Sequence, residues 1–62
     1  MIQAMIDALA DSHAELRGSA AGVLSRFGPP AKAAIPALKK LSTDSSEEVR
    51  KAARYALDKI GP

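Results

Sequence analysis

A chain of 62 residues makes one small domain at most, and at this size only about 60% of the unfolded surface is buried on folding, so the core alone leaves stability marginal. The usual supplements are largely closed, because there is no cysteine for a disulfide or a thiolate zinc site and His13 is the only histidine. Nine Lys and Arg against seven Asp and Glu leave a charge of +2 spread along the chain, which by itself implies no nucleic-acid partner.

The opening stretch MIQAMIDALA is too short and too polar to span a membrane, has no basic n-region, and carries Asp7 where a signal peptide needs an uninterrupted apolar core. The default expectation is a soluble, cytoplasmic protein. The apolar spacing predicts a first helix near residues 2–10 and a second over 13–27. Ser12 and Glu15 form a capping box for the second helix, and Gly28 with the prolines beyond it supplies the stop.

On that second helix Leu16, Ala20, Val23, Leu24 and Phe27 make the expected core stripe. Gly18 and Gly22 fall on the opposite, outward side. A glycine inside a helix costs about 0.8 to 1 kcal/mol relative to alanine, so two of them ask for a reason. Either the small residues Ala14, Gly18, Ala21, Gly22 and Ser25 seat a partner helix or a second copy of the chain, or they form an undemanding solvent face.

The segment PPAKAA reads as a short helical or turn-like lead-in to a third helix near 31–42, with Pro36 at the helix start. The alternative is one helix kinked at Pro36. STDSSEE then interrupts, and a fourth helix is expected over 46–60, capped by Ser45 with Glu48 and closed by Gly61. Val49, Ala53, Ala56, Leu57 and Ile60 share one face of it. Glu47, Lys51, Arg54, Tyr55 and Asp58 lie on the other.

Sliding the chain by 33 positions lays residues 1–29 over 34–62 with ten identities, among them Asp11/Asp44, Glu15/Glu48, Arg17/Arg50, Ala20/Ala53, Leu24/Leu57 and Gly28/Gly61. The matches fall at cap, core and turn positions together, which marks two copies of one two-helix unit. The expected organisation is a single domain, 1–62, with repeat 1 over 1–29 and repeat 2 over 34–62. Its class is all-α, an α-α superhelix of two helical hairpins and four helices.

The run AIPALKKLSTDSSEEVRKAARYALDKIGP resembles the HEAT repeat, specifically the short bacterial and phycobilisome-lyase-like type, with its proline-led first helix, aspartate turn, VR at the second-helix start and closing IGP. MIDALADSHAELRGSAAGVLSRFGP follows the same outline. The resemblance implies a HEAT-like solenoid in which turn aspartates and second-helix arginines form a structural ladder between successive repeats, here Asp11 with Arg17 and Asp44 with Arg50. It also implies that the second helices line the concave side. Gly18, Ala21, Gly22, Lys51, Arg54 and Tyr55 are then the candidate partner-binding residues. Tyr55 beside Lys51, Arg54 and Lys59 could stack on a peptide or a base. The bland reading is that Glu47 with Lys51 and Arg54 with Asp58 are ordinary i,i+4 pairs of a solvated helix.

The repeat ends point outward from the chain. Ile6 and Leu9 stand where the second unit has Lys39 and Ser42, and Met1, Ile2 and Met5 extend a broad apolar surface that a capping repeat would not carry. A neighbouring repeat of a longer array, or another molecule, is expected to cover it. No nucleophile with a base, phosphate loop or metal set is present in the pattern, His13 reads as a surface residue, and no cofactor is expected.

The functional expectation is a non-catalytic protein–protein interaction or scaffold module, self-associating as a homo-oligomer through its exposed ends or part of a longer HEAT-like array. Two alternatives remain. One is a nucleic-acid-binding module using the basic second-helix surface of Lys51, Arg54 and Lys59. The other, implied by the resemblance alone, is an accessory subunit of a lyase-type enzyme.

Overall fold

Proline has no amide hydrogen to give a helix interior, and Pro36 stands in the first turn of a helix, where none is needed. The computed structural model of the chain describes residues 2–61. It contains α1 (Ile2–Ala8), α2 (Ala14–Phe27), a 3-10 segment (Pro29–Ala34), α3 (Ile35–Leu41) and α4 (Glu47–Ile60). The lead-in is a separate turn broken at Ala31, so the third element is not one kinked helix. Among the described residues there is no strand.

Among the described residues neither expected capping box forms. Ser46, not Ser45, caps α4, its Oγ accepting from the Val49 amide at 3.4 Å. His13 precedes α2, and no side chain caps that helix from the N-cap position. The turn aspartates satisfy the neighbouring amides instead: Asp44 Oδ2 accepts from Ser46 N at 2.9 Å and Asp11 Oδ1 from His13 N at 2.8 Å. These are Asx turns, in which a short carboxylate substitutes for a backbone acceptor. At the far end of α2, Gly28 takes φ 67° and ψ −145°, a conformation in which a side chain would be strained.

The two long helices, α2 and α4, pack along each other, with α1 against α2 and α3 against α4. Small residues set this spacing: Ala20, Ala21, Ala53 and Ala56 are all buried, and the larger Leu24, Leu38, Val49 and Ile60 fill the space between the hairpins. On α1, Ile2, Met5 and Ile6 are half-buried against the core, and Leu9, in the turn just after it, is buried. The apolar surface expected there is therefore partly consumed; Met1 lies outside the described residues.

The orientation of α2 differs from the expectation. Ala21 has no exposed surface and Ser25 is buried, while Leu16, Val23 and Phe27 are 50%, 37% and 39% exposed. The reason is the position of α4, which lies along the Gly18–Ala21–Ser25 side: a Cβ on Gly18 would stand 3.9 Å from Val49 Cγ2. The hydroxyl of buried Ser25 donates to the Gly22 carbonyl at 2.6 Å, so it is satisfied inside its own helix.

Candidate functional site

The two turns place a pair of aspartates and arginines in line. Arg17, half-buried near the start of α2, gives Nε and Nη2 to the two carboxylate oxygens of Asp44 at 2.9 and 3.0 Å. Its Nη1 donates to the carbonyls of Asp11 and Ser12 at 2.8 and 3.1 Å. One planar guanidinium thus fastens the turn of its own hairpin and the carboxylate of the next, a two-point geometry that lysine cannot reproduce. The side chains are only 15% and 10% exposed. Donation from Arg17, then the Ser46 amide, holds the Asp44 carboxyl below its ordinary value against an opposing effect of desolvation.

The pattern repeats in part. Arg50 Nη1 donates to the Asp44 carbonyl at 2.7 Å, as Arg17 does to Asp11. Asp11 has no guanidinium on its carboxylate; its Oδ1 takes the His13 amide, and His13 Nδ1 lies 2.9 Å away. Those contacts, the backbone amide first, lower its carboxyl as well.

Residues 2–62 match the family model for HEAT repeats. The chain belongs to the HEAT repeat family. No curated protein and no solved structure matches it significantly. HEAT repeats are generally protein-interaction scaffolds, and the family is typically non-catalytic. In this HEAT fold no helix among the described residues is long and apolar enough to cross a membrane, and no group of His, Cys, Asp and Glu among them could hold a metal ion.

The candidate binding residues separate into three places. Gly18 and Ala21 are not on an outward face; they belong to the seam under α4. Gly22 and Tyr55 meet in a shallow depression between α2 and α4, together with Ser19, Val23, Ser25 and Arg26. Tyr55 is 57% exposed, and Lys59 Nζ lies 5.3 Å from its ring centroid. Arg54 lines a groove between α3 and α4 with Ile35, Lys39, Leu57 and Asp58. Lys51 is exposed and 3.7 Å from Glu47, a solvated pair that contributes little.

A set not singled out as a surface in the sequence is Leu16, Val23 and Phe27. Their counterparts 33 positions on are Val49, Ala56 and Ile60, which are 1%, 0% and 2% exposed on a helix packed along α2, with Val49 next to Gly18. The first hairpin carries the same apolar positions without that cover among the described residues. The 33-residue pairing held this signal, since it aligns an exposed apolar stripe on α2 with a buried one on α4.

Proposed function

We propose that this chain is a non-catalytic interaction module that docks another helical layer on the α1–α2 end of its stack, through Leu16, Val23 and Phe27. The observation that carries the reading is the burial of Val49, Ala56 and Ile60 beside the exposure of those three counterparts. Covering the exposed parts of these side chains contributes roughly 1 kcal/mol apiece, about half of what full burial gives. The occupant has the chemistry of the helix that covers α4: small residues along the contact, as Gly18, Ala21 and Ser25 provide, and an arginine able to reach Asp11 as Arg17 reaches Asp44.

A second copy in head-to-tail stacking fits less well. It would bring Lys51, Arg54 and Asp58, the counterparts of Gly18, Ala21 and Ser25, onto the apolar stripe and desolvate them there. The occupant is therefore a neighbouring HEAT-like layer with a small-residue seam. The test is a longer chain in which a copy of residues 1–33 precedes the sequence in register. One cooperative unfolding transition with a higher midpoint is expected. An unchanged midpoint, with the added segment cleaved by protease at the rate of an unfolded chain, would overturn the proposal.

A further inference from the structure

The acceptor at the α1–α2 end of the stack is already in use within the chain. On Asp44, Oδ1 takes Arg17 Nε, while Oδ2 takes two donors, Arg17 Nη2 at 3.0 Å and the Ser46 amide at 2.9 Å. Asp11 is its counterpart 33 positions earlier, and there Oδ1 also takes two donors. One is the His13 amide at 2.8 Å, the equivalent of Ser46 N. The other is His13 Nδ1 at 2.9 Å. A carboxylate only accepts, so Nδ1 carries a proton in this contact, and each carboxylate oxygen offers about two lone-pair sites. The imidazole therefore fills on Asp11 the acceptor site that a guanidinium nitrogen fills on Asp44.

Asp44 has no such competitor, because the counterpart of His13 is Ser46, whose hydroxyl turns back to the Val49 amide. His13 stands at the same N-cap position but gives α2 no side-chain cap. Its ring goes to Asp11 instead, with Ser12 Oγ at 3.4 Å the weaker contact of that nitrogen. We propose that His13 is an autoinhibitory gate on the α1–α2 end: its ring occupies Asp11 until the arginine of a preceding HEAT-like layer displaces it, and protonation closes the gate. Its action presupposes the docking proposed above.

Imidazolium strengthens the bond to Asp11 and repels a guanidinium approaching the same carboxylate, whereas the neutral ring bonds more weakly and repels nothing. The other charged groups of that end are Asp7 on α1, Glu15 and Arg17 on α2, and Lys40 and Asp44 from the second hairpin. Arg17 is held on Asp44 and on two backbone carbonyls, so it does not take the place of His13. Histidine is the side chain whose charge ordinarily changes between about pH 5 and 8, and His13 is the only one in the chain, so docking at this end acquires its pH dependence there. The ring is 73% exposed and can swing clear without disturbing the core.

The test compares the 62-residue chain with the longer chain in which a copy of residues 1–33 precedes it, each unaltered or carrying His13→Ser in the original unit, the residue that its counterpart position holds. The quantity read is the gain in urea midpoint from the added copy, so any effect of serine on the start of α2 cancels. At about pH 5 the gain should be larger with serine than with histidine, and by about pH 8 that difference should fall to roughly half, as a charge-assisted hydrogen bond is about twice as strong as a neutral one. His13→Gln, which never charges, should give a gain as insensitive to pH as that of serine. Equal gains with histidine, serine and glutamine at both pH values would overturn the gate and leave the docking standing. No gain with any of them would mean that no layer docks at this end, and would overturn both.

Discussion

Arg17 and Asp44 stand 27 positions apart and are joined across the two hairpins by parallel hydrogen bonds of 2.9 and 3.0 Å. The same carboxylate accepts the Ser46 amide at the start of α4, so a single side chain links the packing of the hairpins to the initiation of a helix. Asp44→Ala removes both contacts and leaves the Arg17 guanidinium against a poorly exposed site. A melting midpoint lower by several degrees is expected by circular dichroism. Asp44→Asn, which keeps an oxygen for the turn, should lie between the two.

Acid should undo the same link. The Asp44 carboxyl titrates below its ordinary value of 3.8 in the folded chain because Arg17 and the Ser46 amide favour the charged form. A depressed carboxyl pKa contributes stability that is complete above the unfolded value and disappears as pH falls through the folded one. The loss therefore begins below about pH 4, the ordinary aspartate range, and Asp11 adds to it in the same direction. Urea midpoints measured from neutral pH downward should fall in that window. In Asp44→Asn the fall should be shallower, with only Asp11 remaining of the two.

The glycines of α2 separate by environment. An added Cβ meets only Val49 Cγ2 at 3.9 Å from Gly18, an ordinary contact, and nothing within 4 Å from Gly22. With no strain to offset the gain in helix propensity, Gly18→Ala with Gly22→Ala should raise stability by about 1 to 2 kcal/mol. Gly28 is the opposite case, since its φ of 67° with ψ of −145° excludes a Cβ at low cost. Gly28→Ala should lose about 1 to 3 kcal/mol. Urea denaturation of the two variants side by side distinguishes a face that tolerates glycine from a turn that requires it.

Much of this architecture was legible because it rests on local signals. Gly28 and Gly61 end α2 and α4, Pro36 starts α3, and the 33-residue pairing set the order of the hairpins. The cap positions were off by one residue because Asp11 and Asp44 form Asx turns on the His13 and Ser46 amides, which places the helix starts one residue later than the serine pattern suggests. The rotation of α2 was harder to read for a physical reason. A wheel ranks faces by hydrophobicity, and the seam facing α4 is made of Gly18, Ala21 and Ser25, which score as an empty surface. Close packing between helices selects small side chains as readily as large ones. Leu16, Val23 and Phe27 look like core in the sequence because they have the spacing of an apolar helix face, but they are partly exposed, and the small-residue side of α2 is the one packed on α4.

That distinction can be measured in α2 itself. Leu24 is fully buried between the hairpins, whereas Leu16 is half exposed. Leu24→Ala should cost about 2 to 5 kcal/mol, the range for a cavity in a packed core, and in a domain this small that approaches the whole stability. Leu16→Ala in the same chain should stay within about 0.5 kcal/mol, the range of a surface change. Once a preceding hairpin is added in register, the counterpart relation to Val49 predicts that the Leu16→Ala loss grows to core size while that of Leu24→Ala stays as it was. Chemical denaturation of both variants in both chain lengths gives the comparison; a Leu16 loss that is the same in the two lengths would mean that the stripe is a solvent face.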